Sequence, residues 1–73
     1  RAYNTAVVKT LPGHKYELVK ASAAHRVIKT QDNGTFKDLE PNKAYIIKAY
    51  KMKENKKIPA GEFHVYIPAE YKN

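Results

Sequence analysis

The chain has 73 residues, of which 14 are basic and 7 acidic, giving a formal net charge of +7, and it contains no cysteine. This length allows one domain, near the lower limit at which a hydrophobic core is stable without cross-links. The lack of cysteine excludes disulfides, thiolate metal sites and thiol chemistry, and no apolar run is long enough to span a bilayer. Because the chain begins with Arg1 and shows no apolar signal region, we expect residues 1–73 to be a single domain of a larger protein.

Short β-type segments alternate with turn residues along the whole chain. Strands are predicted at residues 3–10, 15–18, 25–30, 35–39, 44–51 and 62–67. Valine, isoleucine and tyrosine are frequent in these segments, and such residues favour strands. Pro12-Gly13 predicts a turn between the first two strands, the charged run 53–57 predicts a loop, and Pro68 ends the last strand. Several short strands separated by turns at such intervals are typical of a sandwich or a barrel.

The sequence around residue 40 gives the most specific structural signals. Asn33-Gly34 predicts a tight hairpin turn, because glycine and asparagine tolerate the positive φ angles that such a turn requires. Leu39 and Pro41 predict a corner, since proline cannot donate a hydrogen bond to a strand ladder. Tyr45 follows at the position from which the tyrosine hydroxyl of Ig-like sandwiches bonds to the backbone of such a corner. These signals predict an all-β fold, a small antiparallel Ig-like β-sandwich.

One segment also fits a helix. Residues 16–29 place Val19, Ala23 and Val27 at helical spacing and contain several alanines, which are strong helix formers. A helix at 16–29 would make the fold α+β instead of all-β.

The last two long segments alternate so that their side chains point to opposite faces. One face of residues 44–51 holds Tyr45, Ile47 and Ala49, and Phe63, Val65 and Ile67 of the last strand are predicted to face inward with them. If the two strands pair, the outer face carries Lys48, Tyr50, His64 and Tyr66. Aromatic rings stack on sugars or unpaired bases, and lysines attract phosphate or carboxylate groups, so this set is a candidate binding surface. A solvated face stiffened by cross-strand aromatic pairs is the alternative.

Four sequence motifs follow one another along the chain. They are Val8-Lys9-Thr10, Tyr16-Glu17-Leu18, the turn and corner segment from Thr30 to Ile47, and Ile58-Pro59-Ala60-Gly61-Glu62-Phe63. This order resembles the B-type repeats of Gram-positive surface adhesins and pilins. The resemblance implies a prealbumin-like β-sandwich in a secreted or cell-surface protein of the cell wall.

Two further details concern a second family and a residue of the first family that this chain lacks. The spacing of Leu39, Pro41 and Tyr45 is also similar to fibronectin type III domains, which are the second family that the chain resembles. Many B-type repeats carry an isopeptide bond between a lysine and an asparagine or aspartate, promoted by a glutamate. Lys9 matches that lysine, but Ala49 stands where the glutamate would be, so the resemblance implies no isopeptide bond to Asn73.

No set of residues indicates catalysis. His14, His25 and His64 lie on separate segments, whereas a metal site needs ligands that converge. Ser22 is the only serine and lacks the strained turn of a nucleophile. The three glycines stand apart, so no phosphate-binding loop is present. We therefore expect no enzymatic activity, no metal and no cofactor.

The positive charge favours anionic partners, although scattered lysines also keep strands soluble and protect sheet edges. Arginine, which phosphate recognition prefers, is scarce. We expect a non-catalytic structural, adhesion or protein-interaction module of a secreted or cell-surface bacterial protein, with neighbouring domains or another protein as partners. The alternative is a small basic domain that binds an anionic polymer, either a glycan or, less favoured, nucleic acid.

Overall fold

The computed structural model describes residues 4–69 and contains six β-strands. Their bounds are β1 Ala6–Val7, β2 Lys15–Lys20, β3 Ala23–Gln31, β4 Thr35–Phe36, β5 Lys43–Lys53 and β6 Lys56–Ile67. No helix occurs within residues 4–69. The all-β prediction is therefore confirmed, and the alternative of a helix at residues 16–29 is wrong.

The strands form two antiparallel sheets that pack together as a small β-sandwich. The smaller sheet pairs β1 with β4, and the larger one has the order β3-β2-β5-β6. Side chains from both sheets join in one buried cluster, made of Ala6, Tyr16, Leu18, Phe36, Leu39, Tyr45, Ile47, Ala49 and Ile67. The core thus lies between the inner face of the larger sheet and the two short strands that cover it.

The segment that also fits a helix forms a hairpin because its apolar residues are needed in the larger sheet. β2 lies between β3 and β5, and Tyr16, Leu18 and Val19 are at most 3% exposed. Burying an apolar side chain of this size contributes about 1.5–3 kcal/mol, whereas helix propensities differ by less than about 1 kcal/mol per residue. Burial in the sheet therefore outweighs the local preference of the alanines.

A bulged segment of β3 covers part of the outer face of the larger sheet. The pairing of β2 with β3 shifts register on both sides of Val19, and such bulges bend and twist a strand. Lys48 Nζ, on β5, donates a hydrogen bond to the Ala24 carbonyl at 3.0 Å, which holds the bulge against the sheet. Val19 is 0% exposed although it lies outside the cluster between the sheets, so the larger sheet is partly buried on both faces.

The predicted hairpin turn at Asn33-Gly34 is wrong. Neither residue has a positive φ angle, and β4 pairs with β1 in the other sheet instead of with β3. Asn33 acts through its side chain, since its Oδ1 accepts a hydrogen bond from Thr35 N at 3.0 Å, as in an Asx turn. Gly34 is buried, and its carbonyl accepts a hydrogen bond from Val8 N at 2.8 Å. The chain crosses from one sheet to the other here, and glycine allows the close approach of Val8.

The predicted loop at 53–57 is also wrong, because a two-residue turn connects β5 and β6. Glu54 and Asn55 have φ angles of 51° and 67°, which match the two positive angles of a type I′ hairpin turn. β6 therefore begins at Lys56, well before its predicted start. Pro59 is tolerated within β6 because the strand lies at the edge of the sheet, where one row of N–H groups has no ladder partner.

Three other predictions differ from the structure in extent. The first strand covers only Ala6–Val7, and Tyr3 lies outside the described residues. The fourth strand covers only Thr35–Phe36. Phe63 does lie on the same face as Ile47, its partner on β5, but it is 38% exposed because the two short strands of the smaller sheet cover little of the larger one.

Candidate functional site

Leu39, Pro41 and Tyr45, the residues of the predicted corner, lie together at the start of β5. Tyr45 is 3% exposed, and its hydroxyl accepts a hydrogen bond from Glu40 N at 2.8 Å. Leu39 belongs to the buried cluster. The tyrosine therefore satisfies a backbone donor that no strand ladder serves, and it fixes the corner to the core.

A second corner of the same construction precedes β2. Tyr16 is 1% exposed, and its hydroxyl accepts a hydrogen bond from Leu11 N at 2.8 Å. Leu11 stands directly before Pro12, and His14 N donates to the Leu11 carbonyl at 3.3 Å, which closes the turn. We call these two features the Tyr16 corner and the Tyr45 corner.

The two corners share one sequence pattern, at residues 11–16 and 40–45. In each, a proline is followed by a residue with a positive φ angle, 75° at Gly13 and 58° at Asn42, in the order that type II turns use. A tyrosine then follows, and its hydroxyl reaches back five residues in both cases. This repeat was not predicted, because the residues between proline and tyrosine differ. Its signal in the sequence is the equal spacing of Pro12 from Tyr16 and of Pro41 from Tyr45.

Removing either corner hydroxyl should destabilise the fold. Tyr16→Phe and Tyr45→Phe are each expected to lower the free energy of unfolding by about 1–3 kcal/mol, because each leaves a part-buried N–H without a partner. The two losses should add to within about 0.5 kcal/mol, since the tyrosines lie at opposite ends of the β2–β5 pair. Urea denaturation followed by circular dichroism measures them.

Tyr66→Phe is the matched control for this prediction. Tyr66 is 60% exposed, and its hydroxyl donates to Asn42 Oδ1 at the surface. Its loss should change the free energy of unfolding by less than about 0.5 kcal/mol. Equal effects at all three tyrosines would contradict a special role for the corners.

The four residues of the predicted binding surface share one face but do not form a compact site. Register places Lys48, Tyr50, His64 and Tyr66 on the outer face of the β5–β6 pair. Tyr66 lies opposite Ala44 and Tyr50 lies opposite Pro59, so the set extends over about 20 Å at the usual rise per residue. Tyr50 is only 8% exposed, so its ring is not open for stacking as the sequence suggested.

The cationic groups of this surface are engaged by neighbours. Lys48 Nζ is bonded to the Ala24 carbonyl, and His64 Nε2 lies 3.4 Å from Glu62 Oε1. The face consequently offers little free positive charge to a ligand.

A groove of about 470 Å³ lies on the same outer face, around Glu17, Tyr50 and Lys57. The Glu17 side chain is 12% exposed and accepts a hydrogen bond from Lys57 Nζ, which also lies 4.7 Å from the centroid of the Tyr50 ring. The hydrogen bond to Glu17 raises the pKa of Lys57. Lys48 and Glu62 line the groove as well, so its two cations are balanced by two anions.

The histidines do not converge in the part of the chain that the structure describes. Within residues 4–69, no group of three or more histidine, aspartate or glutamate side chains could hold a metal ion. His14 Nδ1 lies 2.9 Å from the Pro12 carbonyl in its own turn. The described chain also has no helix of the length and apolar character needed to cross a bilayer. Asn73 lies outside the described residues, so the expected absence of an isopeptide bond stays a prediction.

The fold and its two corners define a small all-β sandwich. Comparison with protein-family models found no match, and neither the curated proteins nor the solved structures gave a match to this chain. Its function must therefore be argued from its own residues.

Proposed function

We propose that the chain is a non-catalytic module of a secreted or cell-surface bacterial protein, in which a rigid β-sandwich displays a surface to a partner. The observation that carries this proposal is the pair of tyrosine corners. Each fixes the entry to one of the two central strands, β2 or β5, to the core. Two strands anchored in this way hold the loops and turns at their ends in place, as scaffolds of binding modules do.

The strand order supports an Ig-like type of sandwich. In Ig-like domains strands C, F and G form one sheet, C′ can extend it beside C, and B pairs with E in the other sheet. β1 and β4 would then correspond to B and E, and the order β3-β2-β5-β6 to C′-C-F-G. Tyr45 lies near the start of β5, as the corner tyrosine lies near the start of strand F. This order favours the fibronectin type III resemblance, while the location at the cell wall comes from the resemblance to B-type repeats.

The β5–β6 hairpin extends far from the Tyr45 corner. Leu39 N donates to the Asn4 carbonyl at 2.9 Å, and Asn42 N donates to the Pro68 carbonyl at 3.3 Å. Asn4 and Pro68 therefore both lie at the Tyr45 corner. β5 runs away from this corner for 11 residues, which places the Glu54-Asn55 turn about 35 Å away, in a molecule 51 Å long. The far end of the β5–β6 hairpin is thus the part held out toward a partner.

Labelling of intact cells tests the proposed location. An antibody raised against residues 4–69 should label intact cells of the source organism, and external protease should remove the signal. An antibody against a cytoplasmic enzyme is the control for cell integrity. Labelling that appears only after permeabilisation would contradict a secreted or cell-surface module.

A further inference from the structure

The far end of the β5–β6 hairpin extends beyond the rest of the larger sheet. β2 begins at Lys15, which pairs with Tyr50, so residues 51–58 lie beyond β2 and pair only with each other. We call residues 51–58 the arm. All of its residues are exposed, and at the usual rise each of its two strands, with three residues, is about 10 Å long. The arm is therefore a narrow ribbon with two solvated faces.

One face of the arm carries three lysines close together. Lys53 pairs directly with Lys56, and Lys51, two residues before Lys53, pairs with Ile58. Directly opposed side chains start about 5 Å apart, and side chains two residues apart on one strand start about 7 Å apart. The three side chains therefore start close together on one face of the arm, which we call the lysine face. Glu54 is the one acidic residue of the arm and lies in its turn.

Three other lysines of the larger sheet are held in ion pairs, and within residues 4–69 the lysines of the lysine face are not. Lys15 lies 2.7 Å from Asp32, Lys20 lies 3.1 Å from Glu40, and Lys57, on the opposite face of the arm, is paired with Glu17. No ion pair involves Lys51, Lys53 or Lys56 within the described part of the chain.

The opposition of Lys53 and Lys56 has a cost for the fold. Like charges placed directly opposite each other on paired strands are destabilising. Solubility alone does not require them to be opposed, since lysines elsewhere in the chain already supply a large net charge. An anion bound between the two amines would remove the repulsion.

We infer that the lysine face of the arm binds a linear anionic polysaccharide. This inference rests on the proposal that the module displays its far end, and it names the class of partner. The lysine face matches a chain of repeated negative groups because it offers several point charges without fixed geometry. A flexible polymer can follow a ribbon of this width and contact all three amines at once.

Other anionic partners fit the arm less well. The lysine face has no aromatic ring on which unpaired bases could stack and no arginine to read phosphates or bases in a bidentate manner. A folded acidic protein needs about 800 Å² of contact on each side, more than one face of so short a ribbon provides.

Two triple variants with the same net charge test the inference. Lys51, Lys53 and Lys56 are replaced by glutamine in the arm variant. Lys9, Lys29 and Lys37, which are exposed and lie outside the arm, are replaced by glutamine in the control variant. Each variant has a formal charge of +4, from +7 minus three lysines. Both should fold with the circular dichroism spectrum of the parent chain, and the arm variant should be at least as stable because it loses the Lys53–Lys56 repulsion.

Binding of a heparin dodecasaccharide is measured by calorimetry at 50 and 200 mM salt. Two further probes are uncharged dextran and a single-stranded oligonucleotide with the same total charge as the dodecasaccharide. The arm variant should bind the dodecasaccharide about tenfold more weakly than the parent chain, since each exposed charge contact contributes a factor of about two to three. The control variant should lose less than about threefold, and higher salt should weaken binding of the parent chain.

Three results would overturn the inference. They are no binding of the dodecasaccharide at 50 mM salt, equal losses in the two variants, and tighter binding of the oligonucleotide than of the dodecasaccharide. None of them bears on the labelling of intact cells, so the inference about the arm and the proposed location fail separately.

Discussion

Gly34→Ala is expected to lower the free energy of unfolding by more than about 3 kcal/mol or to prevent folding altogether. A Cβ atom at this position would overlap the Val8 carbonyl oxygen and would lie 2.9 Å from Thr10 Cγ2. Relief of the first contact requires a movement of backbone, and the same backbone carries the hydrogen bond from Val8 N to the Gly34 carbonyl. The substitution therefore separates β1 from β4.

Gly13→Ala is the matched control for Gly34→Ala. A Cβ atom at Gly13 would meet nothing within 4 Å, but the φ angle of +75° is unfavourable for alanine. This strain should cost about 1–2 kcal/mol, so the Gly13 variant should fold. Thermal unfolding of the two variants measures the difference. A Gly34 variant as stable as the Gly13 variant would show that Val8 does not pack against Gly34.

Phe36→Ala should remove a large part of the stability of the fold, by about 3–5 kcal/mol. Phe36 is 1% exposed and is one of the largest fully buried side chains among the described residues. It belongs to a strand of only two residues, yet it joins the cluster shared by both sheets. A chain of this length has a total stability of only about 0.05–0.15 kcal/mol per residue, so the variant should be partly unfolded at room temperature.

Phe63→Ala provides the comparison for Phe36→Ala. Phe63 is 38% exposed at the edge of the larger sheet, so its truncation should cost less than about 1.5 kcal/mol. Urea denaturation of both variants gives the two values. Equal losses would mean that the two short strands do not cover a shared core.

The class of the fold could be predicted from the sequence because the signals on which it depends are local. Alternation in β5 follows from one side of the strand facing the core, and Ile47 is 0% exposed as that pattern requires. Pro12-Gly13 forms a turn because proline and glycine each fix the backbone without help from distant residues. The helix that residues 16–29 could also form was excluded only by burial in the sheet, which local propensity does not contain.

The connections between strands could not be predicted in the same way. Asn33-Gly34 has the composition of a hairpin turn, but the approach of Val8, which is far away in sequence, sets its conformation. Glu54-Asn55 forms a hairpin turn without glycine, because the long ladder of β5 with β6 holds both residues at positive φ angles. In each case the pairing of strands decides the turn.

The candidate site on the outer face could also be predicted only in part from the sequence. Alternation predicts the face on which each side chain lies, and Lys48, Tyr50, His64 and Tyr66 do share one face. Their surroundings depend on other strands, since the bulge of β3 accepts the hydrogen bond of Lys48 and Lys57 covers the ring of Tyr50. The lysine face could have been recognised only with the Glu54-Asn55 turn known, because the turn sets which lysines oppose each other.

The crossing of the chain from one sheet to the other at Gly34 is the central feature of this fold. Nuclear Overhauser effects between backbone protons test it most directly in the labelled chain. Contacts of Ala6 with Phe36 and of Val8 with Gly34 are expected, because β1 and β4 form the second layer that closes the core. A ladder of contacts joining residues 29–32 to residues 35–38 across Asn33-Gly34 would contradict it, since a hairpin there would leave the larger sheet without its cover.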